Sequence, residues 1–388
     1  MSDSSATDVL IIGGGVIGLA IGWRALREGL SVRVVERDPS AASRTSHVAA
    51  GMIAPIGEAT PSEPALLALA LESAALYPTF VADLEGETGL STGYRRYGTL
   101  LVARDADEAE VLDRDLAFRQ TLGKPVVRLL PSEARRLEPA LAPTLRLALE
   151  IPDDHAIDPR ALTAALSRAF TRAGGQLLTG REVSAVSVSH SEVYGVRLDN
   201  GESHGAQHVV VAAGPWSGQI AGVPEAARVP IRPVKGQILT LTDPNGPGML
   251  ERVLRMQPGY LVPRGDGRYI LGASVEERGF DTTITAGAVF ALLRDAIELV
   301  PGISEWTLSE LLAGSRPGTQ DNLPVIGPSP LLEGLHWATG HHRHGILLTP
   351  ITAELVVAGL TGRPLPAIAL PAGAGRFVEA SVAVKVRS

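Results

Sequence analysis

The hexapeptide Gly13-Gly14-Gly15-Val16-Ile17-Gly18 constrains this chain more than any other segment. It fits the G-x-G-x-x-G pattern and follows an unbroken apolar run, Val9-Leu10-Ile11-Ile12, that reads as a buried parallel strand. Leu19, Trp23, Leu26 and Leu30 then recur on one stripe and predict a helix that Gly29 stops, before a second apolar strand at Val32 to Val35. In such a βαβ unit one glycine makes the tight turn, one lets the backbone approach a pyrophosphate, and one lets helix and strand pack closely. The free N–H groups and positive dipole end of the helix suit the phosphates. Glu36, ending the second strand, adds an acceptor for a ribose 2′-hydroxyl and repels a 2′-phosphate. An ADP-containing cofactor follows, and NADP is disfavoured. The fingerprint alone does not separate NAD from FAD, because both carry the adenosine diphosphate half.

A chain of 388 residues makes two or three compact units at roughly 150 residues each. Its 35 basic and 42 acidic side chains are interspersed, giving a net charge of −7. No basic run is long enough to neutralise a nucleic-acid backbone, so a small-molecule partner is expected. The absence of cysteine excludes disulfides, thiolate metal sites, Cys nucleophiles and a cofactor tethered through sulfur. Val9 to Ile21 comes nearest to a signal or membrane segment, but glycines interrupt it, it is too short to span a bilayer, and Asp3 and Asp8 precede it. A cytoplasmic protein without stable membrane insertion is the expectation.

Farther along, Asp158 can cap a helix that opens at Pro159, buries Leu162, Leu166 and Phe170, and stops at Gly174. A strand from His208 to Ala213 runs into Gly214, and Trp337 to Thr339 runs through Gly340 and a polar turn into a helix over about 346–360. Between these pieces, 97–103, 237–242, 260–263 and 269–273 read as short strands bounded by Gly, Pro or Asp turns. With the amphipathic run Val289, Leu293, Ile297, Val300, they predict an α+β domain on a largely antiparallel sheet, inserted into the Rossmann-like α/β domain with its parallel sheet.

The residues after Glu36 favour a flavin. Arg44-Thr45-Ser46-His47-Val48-Ala49-Ala50-Gly51-Met52 is a run of small and hydroxyl residues suited to a flat ring lying against backbone. Together with A-A-G-x-W-S at Gly214 and Trp216, P-V-K-G-Q, G-Y-L-V-P-R, S-R-P-G-T-x-D and G-H-x-R-x-G-I-L-L, it resembles the D-amino-acid oxidase family of flavoproteins, in its glycine-oxidising branch, from Val9 to about Leu360. The resemblance implies an FAD-binding domain at 1–62, 150–225 and 318–370 and a substrate-binding domain at 63–149 and 226–317, while 371–388 has no counterpart in it and reads as a loosely held C-terminal tail. It further implies non-covalent FAD, a small amino-acid substrate, O2 as acceptor, and a homo-oligomer. The activity implied is oxidative deamination of glycine, sarcosine and small D-amino acids, with hydride passing from the α-carbon to flavin N5 and H2O2 formed, in thiamine (thiazole) biosynthesis. The alternatives are a D-amino-acid or sarcosine oxidase or dehydrogenase of the same fold, a nicotinamide-dependent dehydrogenase, and a non-catalytic flavin-binding protein.

The same resemblance places the site residues. Gly13, Gly15, Val16, Ile17, Gly18, Glu36, Arg37 and Arg44 match the ADP-binding region; Thr45, Ser46, Ala50, Gly51 and Met52 match the loop beside the pyrophosphate and ring; Val183, Gly214 and Trp216 match further contacts. His341, His342, Arg343, His344, Gly345, Ile346 and Leu347 match a segment opening a helix toward the flavin pyrimidine, where free N–H groups stabilise negative charge. Arg316, on its residues alone, is either a bidentate carboxylate anchor or a loop-stapling partner of Asp321. The family pattern implies the anchor, with Tyr260 on the same carboxylate and Arg343 beside the substrate. Adjacent histidines project in different directions and lack a carboxylate at ligand spacing, so His341, His342 and His344 are not read as a metal site.

Overall fold

The computed structural model describes residues 6–378 and builds them into two eight-stranded sheets and a two-stranded ribbon. In the first sheet Thr7–Ile12 lies at the centre, parallel to Ser203–Val211 on one side and Val32–Glu36 on the other. Gln176–Thr179 and Leu335–Thr339 extend it in parallel, and Val325–Pro328 closes one edge antiparallel. Alternation along the central strand feeds two cores. Val9 and Ile11 pack under helices Val16–Arg27, Pro159–Arg172 and Thr349–Leu360, while Leu10 and Ile12 face the side carrying the Val183–Ser189 and Glu192–Leu198 hairpin. Helix Pro159–Arg172 starts where its sequence says, with Asp158 accepting from Arg160 N at 2.9 Å, and Leu162, Leu166 and Phe170 fully buried.

Helix Pro64–Thr88, the longest in the fold, has no counterpart in the elements expected from sequence. Pro78 lies inside it and its first turns, Ala65 to Leu71, are continuously apolar, so the stripe it buries is masked at its start. By length and composition it is apolar enough to cross a membrane, as Val9 to Ile21 is not. Its Leu69, Tyr77, Phe80 and Leu84 instead fill the first core, with the Phe80 ring edge-on to Trp23 at 5.4 Å. The expected division at residue 63 assigns this helix to the substrate domain, whereas its buried side chains lie in the core of the first sheet.

The second sheet runs Thr307–Gly318, Arg232–Thr242, Arg268–Gly272, Tyr260–Pro263, Val253–Arg255, Thr99–Ala103, Leu147–Ile151, Val127–Leu129. It is antiparallel except where Val253–Arg255 meets Thr99–Ala103. Helix Ala286–Leu299 covers it, burying Leu292, Ala296 and Leu299 most deeply, with Val289, Leu293 and Ile297 on the flank. Strand Leu147–Ile151 crosses the boundary expected at 150.

The C-terminal helix begins at Thr349 rather than near 346, with Pro350 in its first turn and a 3-10 turn at His342–His344 before it. Part of the expected tail is tied down: Ala374 is buried, and Arg376 pairs with Asp321 at 2.9 Å and donates to Leu323 O at 2.7 Å. The rest of the tail, from 379, lies outside the described residues.

Candidate active site

A cavity of about 400 Å³ runs between the two sheets. One end is walled by main chain. Gly13 turns at φ +108°, and a Cβ there would stand 2.6 Å from Ala212 O. Gly18 packs the helix so tightly on this turn that a side chain would collide with Gly13 O. The helix that follows has no side-chain cap; Val16 N–H donates to Ser46 Oγ at 3.0 Å. Glu36 lies across the turn, its Oε2 accepting from Gly14 N at 2.7 Å and its Oε1 from Asp38 N at 3.0 Å. Asp38 grips Arg44 through two bonds of 2.7 and 2.8 Å, and this pairing holds its carboxyl down at about 2 against the opposing effect of burial.

The other end is walled by side chains from the second sheet. Arg316 stands opposite Val234 on the Thr307–Gly318 strand, and its guanidinium lies over Gly236, where any Cβ would occupy its space. Gly272, opposite Tyr260, clears room in the same way: a Cβ there would fall 2.6 Å from the Tyr260 hydroxyl. Arg316 donates to Ser274 O at 3.2 Å and Lys235 O at 3.4 Å and forms no salt bridge among the described residues. Asp321, the rival partner, is taken by Arg376. Burial raises the Tyr260 hydroxyl above its ordinary value while the adjacent Arg316 opposes that rise, so Tyr260 is a neutral hydroxyl donor beside a cation. The buried Lys235 and Gln237 of the P-V-K-G-Q run brace the chamber from behind, Lys235 pairing with Asp281 at 3.3 Å and Gln237 donating to Glu276 at 2.7 Å.

The family model described as FAD dependent oxidoreductase matches residues 8–358. The chain belongs to the FAD-dependent oxidoreductase family. A glycine oxidase of Geobacillus kaustophilus is 37% identical over 92% of this chain and 93% of its own length. The bifunctional protein ThiO/ThiG of a Synechocystis species is 37% identical over 91% of this chain and 51% of that longer protein. The crystal structure of the Geobacillus kaustophilus glycine oxidase superposes with a TM-score of 0.89 at 33% identity, covering 95% of this chain and 98% of that one.

The residues present fit FAD. The glycine turn is a cradle without side chains: a Cβ at Gly14 would meet that of Glu36 at 3.0 Å, and one at Gly15 would meet Ser46 Oγ at 3.3 Å. Beyond Gly13 and Gly15, the cavity is lined by Val16, Ile17, Glu36, Arg37, Arg44, Thr45, Ser46, Ala50, Gly51, Met52, Val183, Gly214, Trp216, Tyr260, Arg316, His341, His342, Arg343, Gly345 and Ile346. Three of the residues expected to contact the FAD do not line it: Gly18 is internal to the turn, Leu347 is buried, and the His344 ring turns away to Glu58. Arg343 borders the cavity but its guanidinium pairs with Glu63 at 3.2 Å. His341 is neutral, pulled down to about 3 by burial, and bonds Thr352 Oγ1 at 2.9 Å. His342 sits at φ +47°, also pulled to about 3 by burial and then by Arg316, with its Nδ1 buried and without a hydrogen-bond partner among the described residues.

Glu58 and Arg255 are cavity residues that no sequence motif marks. Glu58, only 7% exposed, meets Arg255 at 3.3 Å and His344 at 3.2 Å. Burial alone would push its carboxyl up, but Arg255 first and then the contact with His344 outweigh it and hold the group well below the usual range. Asp154 lies behind this cluster, accepting from Gly57 N at 2.6 Å and Ile56 N at 3.1 Å, and burial raises it to about 7. No motif spacing joins Glu58, Asp154 and Arg255, since only the pairing of distant strands brings them together.

Proposed function

We propose that this chain oxidises glycine and other small amino acids, including sarcosine and small D-amino acids, to the imino acid, which water hydrolyses to the oxo acid and ammonia or amine. The observation that carries the reading is the Arg316 guanidinium, facing the cavity with a neutral Tyr260 hydroxyl beside it and no salt-bridged carboxylate among the described residues. A substrate α-carboxylate supplies the missing charge, bound by charge-assisted bonds from Arg316 and one from Tyr260. FAD, held by these residues, would supply the two-electron oxidant for the α-carbon, with O2 as the final acceptor and H2O2 as product. The protein's own contribution is to hold the carboxylate, orient the α-carbon and exclude water, while Val275 and Met52 border the space for a side chain.

The residues lining the cavity are proposed as the FAD contacts, held without a covalent link. His47, the nearest histidine in the loop, is absent from the lining and faces Arg160 and Glu310. The similarity to glycine oxidase and to ThiO/ThiG supports glycine as substrate and a place in thiamine (thiazole) biosynthesis. A cytoplasmic homo-oligomer is proposed with it, tested by fractionation and size-exclusion chromatography. The deciding experiment is the visible spectrum of the purified yellow protein before and after anaerobic glycine. Bleaching supports the reading, and retention of the oxidised spectrum with glycine, sarcosine and D-alanine alike would remove it. Bleaching by sarcosine or D-alanine but not glycine would move the substrate within the same fold.

A further inference from the structure

Arg37, Trp216 and Phe280 form a three-layer stack that joins the two halves of the molecule at the dinucleotide end of the cavity. The Arg37 guanidinium lies 3.8 Å over the Trp216 ring, and the Phe280 ring stacks on Trp216 at 5.6 Å with an interplanar angle of 18°. Arg37 and Trp216 line the cavity and belong to the first sheet's side, directly after strand Val32–Glu36 and within the 3-10 turn Gly214–Gln219. Phe280 comes from the other side, in the loop between strand Arg268–Gly272 and helix Ala286–Leu299 of the second unit.

That loop is held at both ends and reaches across in between. Near its start, Glu276 N donates to Lys235 O at 3.0 Å and Lys235 N to Glu276 O at 2.9 Å. Near its end, Thr285 N donates to Gln237 Oε1 at 2.9 Å and Asp281 pairs with the buried Lys235. Phe280 sits between these anchors and is 38% exposed, so its ring is placed by the stack rather than by a core. Val275, on the same loop, borders the substrate end of the cavity. One strap therefore spans the opening from the amino-acid end to the adenosine end.

We propose that Phe280 is a positioning residue for FAD: without lining the cavity, it closes the strap onto Trp216 and Arg37 and slows escape of the dinucleotide. The proposal rests on FAD as the cofactor and is independent of which amino acid is oxidised. Aromatic stacking and the cation over the ring each add modest, geometry-dependent free energy. Loss of the Phe280 layer should then speed FAD release by about three- to tenfold.

The test uses the purified holoenzyme diluted into buffer, with FAD release followed by the rise of free-flavin fluorescence. Phe280→Ala should release FAD about three- to tenfold faster, Phe280→Leu should do the same because it keeps volume but loses the ring, and Phe280→Tyr should retain the slow rate. The melting temperature of the holoprotein should fall more than that of the apoprotein for Ala and Leu, and neither should move for Tyr. Release from Phe280→Ala at the unaltered rate overturns the proposal, as does a Leu variant as slow as the parent. A parallel loss of apoprotein stability would make Phe280 a folding residue and overturn it too. Failure of glycine to bleach the flavin would sink the substrate reading while leaving these rates readable.

Discussion

At the glycine end of the cavity the wall is main chain, and Gly13 and Gly18 leave no space where a side chain would stand. At the amino-acid end the wall is charged and polar side chains, and Arg316, Tyr260, Arg255 and Glu58 arrive there from separate segments. The first wall fails when an atom is added and the second when a charge is removed. That contrast follows from what each end must recognise. A pyrophosphate and a flat ring are met by close-packed backbone and N–H groups, whereas a small zwitterion offers little besides its charges.

The largest effect should come from removing a charge. Glu58→Gln keeps the shape but leaves Arg255 and His344 without their carboxylate in a buried cluster. Breaking one partner of such a cluster costs about 3–5 kcal/mol. Urea unfolding followed by far-UV circular dichroism should show a lower midpoint at unchanged slope, and an unaltered midpoint would show that the cluster carries no net stability. Arg316→Ala tests the same wall through function rather than folding. The KM for glycine should rise by about 30- to 1000-fold, equivalent to about 2–4 kcal/mol, with FAD content unchanged. A KM within twofold of the parent removes Arg316 from the substrate site.

The contrast also sets what could be read before folding. The strand, glycine turn, helix and Glu36 occupy one short stretch of chain, so hydrophobic periodicity and glycine spacing report them directly. Helix Pro159–Arg172 is legible for a similar reason, because its cap, first-turn proline and buried stripe are all local. Arg316 can be nominated from its residues alone, yet it is distinguished from a staple to Asp321 only because Arg376 occupies that aspartate in the fold. Glu58, Asp154 and Arg255 carry no local mark, since each owes its position to pairing across nearly a hundred residues or more. Helix Pro64–Thr88 escapes because its opening run, Ala65 to Leu71, is apolar without a break and Pro78 stands at its middle, which together hide the period of its buried stripe.

Adding an atom at the glycine end should have an intermediate effect. Gly13→Ala places a Cβ on a residue at φ +108° and 2.6 Å from Ala212 O. Backbone strain of this kind costs about 1–3 kcal/mol, so titration of apoprotein with FAD should show affinity weakened by about 5- to 150-fold. At saturating FAD the KM for glycine should match the parent. A large KM change there would mean that the two walls are not independent.

The smallest effect opposes the two halves through their protons. In the FAD-binding half, burial and then His208 pull His336 down to about 4, and burial pulls His341 to about 3. Both imidazoles ionise near 6.5 when unfolded, so their contribution is whole above that pH and declines as pH falls toward 4, where the unfolded chain binds the extra protons. Beside the amino-acid end, burial raises Asp154 to about 7 from an unfolded value of 3.8. Its contribution has the opposite sign: it is whole at low pH and is lost as pH rises through 7. Between pH 8 and 5.5 the two therefore pull against each other. His336→Asn should remove about 1 kcal/mol of the stability lost on acidification, giving a shallower decline in urea midpoint than the parent. Asp154→Asn should give a steeper one, because the compensating protonation is gone. A steeper decline for His336→Asn, or a shallower one for Asp154→Asn, would mean that the buried groups on the two sides of the cavity do not carry the protons assigned to them.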